Sequence, residues 1–234
     1  MAYRYIIFDF DGVLVESNEI RFQGFIDLFQ GLPEDVMTPF MDFVRTNGGL
    51  SRYGKIRHLY ENILRRPICD DGVAALAREY SRIVMEQIIR ARPVEGSLEF
   101  LAESCSRFEF AIISGSDQEE LRQVCRARGI DRYFRAILGS PKEKKENITV
   151  LLNQENWDPR ACLYVGDSRN DHDAAVETGI DFIGRSSGVM DWGDRDVVSI
   201  PTLHELPAAV EELSGRRSGR NARSEEHTSE LQSH

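Results

Sequence analysis

Three short apolar runs punctuate the chain, and each stops on small or acidic residues. Tyr3 to Phe10 leads into Asp11 and Gly12, Phe108 to Ile113 closes on Ser114 and Gly115, and Ala161 to Val165 closes on Gly166 and Asp167. Runs this short, unbroken by alternating polar residues and ended by turn formers, predict strands buried on both faces. Helical periodicity follows the second and third. Asp117 to Arg128 carries Leu121 and Val124 on one face and stops at Gly129, and Asn170 to Thr178 stops at Gly179. Weaker strands are expected at Ala136 to Leu138, Phe182 to Gly184 and Val197 to Ile200. Strand and helix in alternation predict an α/β fold, a Rossmann-like parallel sheet covered by helices on both faces.

The stretch from Val15 to Pro93 breaks that rhythm and reads as helices only: Ser17 to Gln30, Glu34 to Thr46, Ser51 to Leu64 and Asp70 to Arg92. Val36, Phe40, Phe43 and Val44, and Ile56, Leu59, Tyr60 and Ile63, recur at helical spacing and predict packing faces. The expected organisation is an α/β core from residues 1–15 and 94–214, interrupted by an inserted helical cap over 16–93. Chain crossings at the two ends of the insertion would form a hinge. Gly215 to Ala222 lacks the apolar residues needed to offset ordering entropy, so a disordered tail is expected over 215–234. Within it, Arg223 to His234 resembles a translated sequencing adapter rather than evolved protein.

Composition narrows the chemistry. The 234 residues carry a formal charge of -10, which argues against nucleic acid as a partner. An anionic substrate would meet long-range repulsion, so a phosphate site must make positive potential locally, from a metal or basic side chains. Cysteines at 69, 105, 125 and 162 form no CxxC pair and none adjoins a His, so buried reduced thiols are expected rather than zinc or redox motifs. No leader-like segment and no membrane-length apolar run is present, which predicts a cytoplasmic protein without a membrane partner, a monomer or weak dimer.

Polar residues gather at the expected carboxyl ends of the strands, where open α/β sheets bind ligands. Asp9 and Asp11 end the first strand, Ser114 and Ser116 the second, Asp167 and Asp171 the third, and Lys142, Lys144 and Lys145 lie between the last two. Several carboxylates facing one pocket repel one another unless a hard cation joins them, and Mg²⁺, which prefers oxygen ligands and substrate phosphate, suits that position. Phosphoryl transfer needs this kind of positioning and charge neutralisation.

In order and context these residues resemble the haloacid dehalogenase superfamily of phosphohydrolases, in its capped branch with phosphoglycolate phosphatases and β-phosphoglucomutases. Asp9-Phe10-Asp11-Gly12 matches its DxDG motif, Ser114 its second motif, a Lys before a helix its third, and Gly166 to Asp171 its GDSxxD motif. The resemblance implies Asp9 as nucleophile and Asp11 as acid and base. It implies Mg²⁺ held by Asp9, the Asp11 backbone carbonyl, Asp167 and Asp171. Phosphoryl oxygens would be bound by Ser114, the Gly115 amide and a lysine. Spacing from Ile148 favours Lys144 for that lysine, whereas the interval back from Asp167 fits Lys142.

The implied reaction is hydrolysis of a small phosphorylated metabolite through an aspartyl-phosphate, Asp11 separating phosphatases from the family's dehalogenases. Two alternatives stand beside it. Gly49-Leu50-Ser51-Arg52 resembles the substrate-reading loop of phosphosugar mutases, although Val15 and Arg21 replace their Thr and His hinge pair. A non-catalytic phospho-acceptor module would use a similar acidic site, but has no need of a lid. Arg52 and Lys55 are candidates to meet the substrate's distal groups; the competing reading is a helix start capped by Ser51 with two exposed basic residues.

Overall fold

The computed structural model of the chain describes residues 3–192 and 197–217. Its centre is a six-stranded, wholly parallel sheet of order β3-β2-β1-β4-β5-β6. The strands are β1 (Tyr5–Phe8), β2 (Glu109–Asp117), β3 (Phe134–Ser140), β4 (Cys162–Gly166), β5 (Asp181–Arg185) and β6 (Val198–Ile200). Side chains alternate across the sheet, as a period of two requires. Ile6 and Phe8 of β1, Phe110 and Ile112 of β2, and Leu163 and Val165 of β4 join one apolar cluster. Tyr5 and Ile7, Ala111 and Ile113, and Cys162 and Tyr164 join another on the opposite face. Burial of both faces explains why these strands are continuous apolar runs in the sequence.

Four helices lie between β1 and the return of the chain at Pro93 and Val94: α1 (Asn18–Leu28), α2 (Glu34–Thr46), α3 (Arg52–His58) and α4 (Asp70–Arg90). A single π-type turn, Leu59–Ile63, prolongs α3. Phe25 packs on Phe40 and Tyr80, and Ile56, Leu59 and Val84 are fully buried, so the apolar stripes do form a packed interior. Entry and exit are pinned together: the Glu16 amide donates to Arg92 O, the Val94 amide donates to Leu14 O, and Val15 bridges Pro93 antiparallel.

The remaining helices α5 (Ser97–Ser104), α6 (Gln118–Ala127), α7 (Lys144–Glu155) and α8 (Arg169–Thr178) flank the sheet. Helix α5, with Phe100 and Leu101 buried, escapes the sequence reading because its eight residues are too few to establish a period. Helix continues over residues 206–217, three residues past the expected start of the tail; the rest of that tail, including the adapter-like segment, lies outside the described residues. All four cysteines are free, but Cys69 and Cys105 are exposed, which corrects the expectation of uniformly buried thiols. Among the described residues no helix is long and apolar enough to cross a membrane.

Because the chain runs from β1 outward through β2 and β3, then returns to β4 on the other side of β1, the strand order reverses at β1. A crevice opens beyond the carboxyl ends of strands at such a point. The Asp, Ser and Lys stations of the sequence converge there.

Candidate active site

Asp9 follows β1 directly and is buried. Its Oδ2 lies 3.2 Å from Lys144 Nζ, while its Oδ1 is buried without a hydrogen-bond partner. Lys144 opens α7 and shares its inward face with Asn147, Ile148 and Leu151, the i, i+3, i+4, i+7 row of a packed helix. Its Nζ also donates to Asp171 Oδ1 at 2.5 Å. Asp171 is fixed further by the Ser168 amide and hydroxyl on Oδ2, at 3.0 and 2.6 Å, and by the Tyr164 hydroxyl 3.0 Å from Oδ1. The Ser168 and Asp171 contacts form a capping box, so helix-start chemistry also aims the carboxylate.

Asp167 completes the acidic group, its Oδ2 accepting from Asn18 Nδ2 at 2.7 Å. One oxygen each from Asp9, Asp167 and Asp171 lies within 4.8 Å of the others. Burial, then the Asp171 charge, push the Asp9 carboxyl well above the usual range; Lys144 offsets this in part, and Asp167 and Asp11 add to it. Burial and Asp171 likewise push Asp167 up to about 6, against hydrogen bonds from Ser187 and Asn18. Burial opposes the Lys144 charge, but Asp171 and Asp9 outweigh it and keep the ammonium protonated. Three carboxylates with one ammonium lack positive charge, and one carboxylate oxygen lacks a partner. A hard, oxygen-seeking divalent cation fits this donor set.

Asp11 faces the other way. Its Oδ1 accepts from Ser17 Oγ at 2.5 Å and Arg21 Nε at 2.9 Å, and its Oδ2 accepts from Ser116 Oγ at 2.6 Å. Burial would raise its pKa, but the Arg21 charge and the hydrogen bonds from Arg21, Ser116 and Ser17 more than offset that and hold it below the usual value. Gly12 has φ +73, and a Cβ there would stand 2.1 Å from Asp167 Oδ2, so the turn after Asp11 needs glycine for both conformation and space.

Ser114 and Gly115 sit where the β2–β3 register slips between Ile113 and Asp117, an irregularity that re-aims side chains at a sheet's functional edge. Ser114 Oγ accepts from the Ser116 amide at 3.2 Å. The Gly48-Gly49 turn lies on top of them. A Cβ on Gly115 would be 2.4 Å from Gly49 O, and one on Gly49 would be 2.4 Å from Ser168 Oγ and 3.2 Å from Lys144 Nζ. The helical insertion therefore closes directly over the acidic group.

The pocket of about 40 Å³ beneath that turn is lined by Asp9, Asp11, Ser114, Gly115 and Asp167, and from the insertion by Arg21, Arg52 and Lys55. Lys142 does not join them. It is exposed, because it precedes the Glu143 cap of α7 and so lies outside the helix's buried face. Arg52 and Lys55 are buried, against the reading of both as exposed, although Ser51 does cap α3 by accepting from the Gly54 amide. The Arg52 guanidinium is occupied: Glu120 accepts from Nη1 and Nη2 at 2.6 and 2.8 Å, and Ser81 Oγ accepts from Nη1 as well.

Sequence reasoning missed Glu120, Asn18 and Arg21 as parts of this assembly. Asp117 and Glu120 have the spacing of a capping box, and the Asp117 half forms, its Oδ1 accepting from the amides of Glu119 and Glu120. The Glu120 side chain instead crosses to Arg52 and to Arg21 Nη1, at 2.5 Å. Arg21 stood out only as a departure from the mutase hinge, and Asn18 carried no signal beyond its place at a helix start.

With this geometry in hand, the similarities of the chain are specific. The probable phosphatase IndB of Dickeya dadantii is 26% identical over 195 residues, 79% of this chain and 81% of that protein. A phosphoglycolate phosphatase of Synechococcus elongatus is 26% identical over 203 residues, 83% of this chain and 87% of that one. The fold matches that of CbbY from Rhodobacter sphaeroides, solved in complex with phosphate, with a TM-score of 0.71 at 17% identity, covering 89% of this chain and 99% of that one. The family model for haloacid dehalogenase-like hydrolases matches residues 6–185, and the chain belongs to that family.

Proposed function

We propose that the enzyme is a phosphatase that hydrolyses a small phosphorylated metabolite through an aspartyl-phosphate on Asp9, with Mg²⁺ as cofactor, in the cytoplasm. The observation that carries this reading is Asp9 itself: a residue lining the pocket, its carboxylate buried with one oxygen against Lys144 and the other without a partner. The relatives named as phosphatases support it.

In this reading Asp9 Oδ1 attacks phosphorus and the bond to the leaving oxygen breaks as the aspartyl-phosphate forms. Asp11 gives that oxygen a proton, then takes one from the water that attacks the same phosphorus and releases phosphate and free Asp9. Lys144 Nζ holds the nucleophile in place and offers charge to a phosphoryl oxygen. Ser114 Oγ and the Gly115 amide are donors for the others. Asp9, Asp167 and Asp171, with the Asp11 carbonyl, would hold Mg²⁺, which when bound screens carboxylate from phosphate. Asp11 can donate only after its contact with Arg21 relaxes, since that pairing favours the ionised form. Residues 16–93 act as a cap in this scheme, moving on the two chain crossings bridged at Val15 and Pro93.

The test is release of phosphate from p-nitrophenyl phosphate and acetyl phosphate in Mg²⁺. Sustained turnover is expected. A single equivalent of stable phosphoprotein would instead indicate a phospho-acceptor, and no reaction at all would refute both.

A further inference from the structure

Tyr164 stands in the middle of β4, yet its hydroxyl reaches the end of β2. In the sheet β1 lies between the two strands, with Ile7 in register with Tyr164. The ring shares the face that carries Ile7 and Ile113, is fully buried, and packs beside Phe182 at 6.2 Å between centroids. From there the hydroxyl donates to Ile113 O at 2.7 Å, directly before Ser114. The same hydroxyl oxygen is 3.0 Å from Asp171 Oδ1. A tyrosine hydroxyl has one hydrogen, so it serves one of these acceptors at a time. At the shorter distance it serves Ile113, and Asp171 Oδ1 is left to Lys144 Nζ at 2.5 Å.

Lys144 is held more closely by that oxygen than by Asp9, whose Oδ2 is 3.2 Å away. To offer its charge to a phosphoryl oxygen, Nζ must give up part of this hold, and a buried carboxylate oxygen that loses its donor is costly. Among the described residues Tyr164 is the one other donor at Oδ1, since the Ser168 amide and hydroxyl both meet Oδ2. Resting on the phosphatase reading above, we propose that Tyr164 is a positioning residue for Lys144: its hydroxyl turns from Ile113 O to Asp171 Oδ1 as Nζ turns from Asp171 to a phosphoryl oxygen.

The exchange needs only rotation of the hydroxyl hydrogen about the C–O bond, because both acceptors already lie within reach of the oxygen. Asp171 keeps a donor at each oxygen throughout. The Ile113 carbonyl gives one up while phosphate is bound, which costs less than stripping a carboxylate, since bonds to ionised acceptors are the stronger ones. A phenylalanine in place of Tyr164 would pack the same face but leave Lys144 tied to Asp171.

The experiment follows orthophosphate binding to the Mg²⁺-loaded chain by calorimetry, beside kcat/KM for acetyl phosphate. Tyr164→Phe should weaken phosphate binding and lower kcat/KM by a similar factor, roughly tenfold, the size of a hydrogen bond to a charged group. Tyr3→Phe is the control. It removes another hydroxyl, bonded to Asp181 Oδ2 at 2.5 Å away from the pocket, and should leave both quantities within about twofold. A second readout needs no variant to fold. Ile113-Ser114 is the only Ile-Ser peptide in the sequence, so ¹³C-carbonyl isoleucine combined with ¹⁵N-serine gives one NMR cross-peak. Its carbonyl should move upfield when phosphate is added to the wild type, as a lost hydrogen bond requires, and Tyr164→Phe should start from the upfield position. Phosphate affinity unchanged in Tyr164→Phe, an equal loss in Tyr3→Phe, or a wild-type carbonyl that stays or moves downfield overturns the inference and leaves the phosphatase reading standing. A wild type that fails to turn over acetyl phosphate overturns the phosphatase reading and the inference with it.

Discussion

The two ends of one pocket handle buried charge in opposite ways. Around Asp9 three carboxylates share one ammonium, and the pKa values of Asp9 and Asp167 rise. Around Arg21 and Arg52 the carboxylates are matched, and burial of Glu120 is outweighed by Arg21 and Arg52, which hold it far below the usual Glu range. In the proposed reading the first end takes a cation from solution, whereas the second pairs its own charges and ties the helical insertion to α6. Incompleteness marks where chemistry is supplied from outside; completeness marks structure.

The comparison breaks most decisively at Asp9. Asp9→Asn keeps the shape and removes the proposed nucleophile, so a loss of turnover of at least roughly a thousandfold is expected with the fold intact. Circular dichroism and phosphate release on the same preparation provide the check, and retained activity would end the proposed mechanism. Chelation tests the same end without mutation: EDTA should abolish turnover, Mg²⁺ restore it, and Ca²⁺, with its looser and larger coordination, inhibit.

At the matched end the expected effect is on stability. Glu120→Gln leaves Arg21 and Arg52 buried with one carboxylate fewer, which should cost about 3 to 5 kcal/mol in denaturant unfolding, the range for breaking a buried pair from one side. A cost below about 1 kcal/mol would show that water reaches the arginines and that the brace is not closed. Arg52→Ala should act in the same way, lowering stability and turnover of every substrate together rather than selecting among them, because its donors face Glu120.

Opposite pKa shifts give opposite pH signatures. Asp167 has a raised folded pKa of about 6, so the folded state binds the extra proton; that stability is present below the ordinary Asp value and lost as pH rises toward 6. Glu120 is depressed, so its contribution is present above the ordinary Glu value and lost as pH falls below it. The metal-free protein should therefore lose a few kcal/mol of stability between about pH 4 and 6, and Mg²⁺ should reverse that trend. Thermal melts across that window, with and without Mg²⁺, read it directly. A metal-free melting temperature that climbs steadily through pH 6 would contradict the raised acids.

Much of the acidic end was legible because its signals are local. Asp9, Ser114 and Asp167 close buried apolar runs, and the parallel sheet brings strand ends together whatever the intervening chain does. The matched end was not legible in that way. Glu120 reads as half of a capping box, Arg21 as one position in a weakly patterned helix, and Arg52 as the exposed start of another; only the side-chain pairs that Glu120 of α6 makes with Arg21 of α1 and Arg52 of α3 join them. Charge pairs between distant segments leave no period in a sequence.

The smallest expected effect falls on the one choice that spacing left open. Lys142 and Lys144 are two residues apart, and both intervals are compatible with a phosphate-binding lysine when only the chain is read. The side chains part company at the Glu143 cap: Lys144 enters the buried row with Asn147 and Ile148, and Lys142 stays in solvent. Lys142→Ala should therefore change both stability and kcat/KM by no more than about 0.5 kcal/mol, the usual consequence of an exposed substitution. Lys144→Ala removes the only cation between Asp9 and Asp171 among the described residues and should reduce turnover by orders of magnitude. Assaying the pair side by side on acetyl phosphate separates the two lysines, since that substrate is too short to involve anything beyond the core. If Lys142→Ala proved as damaging as Lys144→Ala, the α7 start would have to rearrange when phosphate binds, and the proposal of Lys144 as the phosphate-binding lysine would fall.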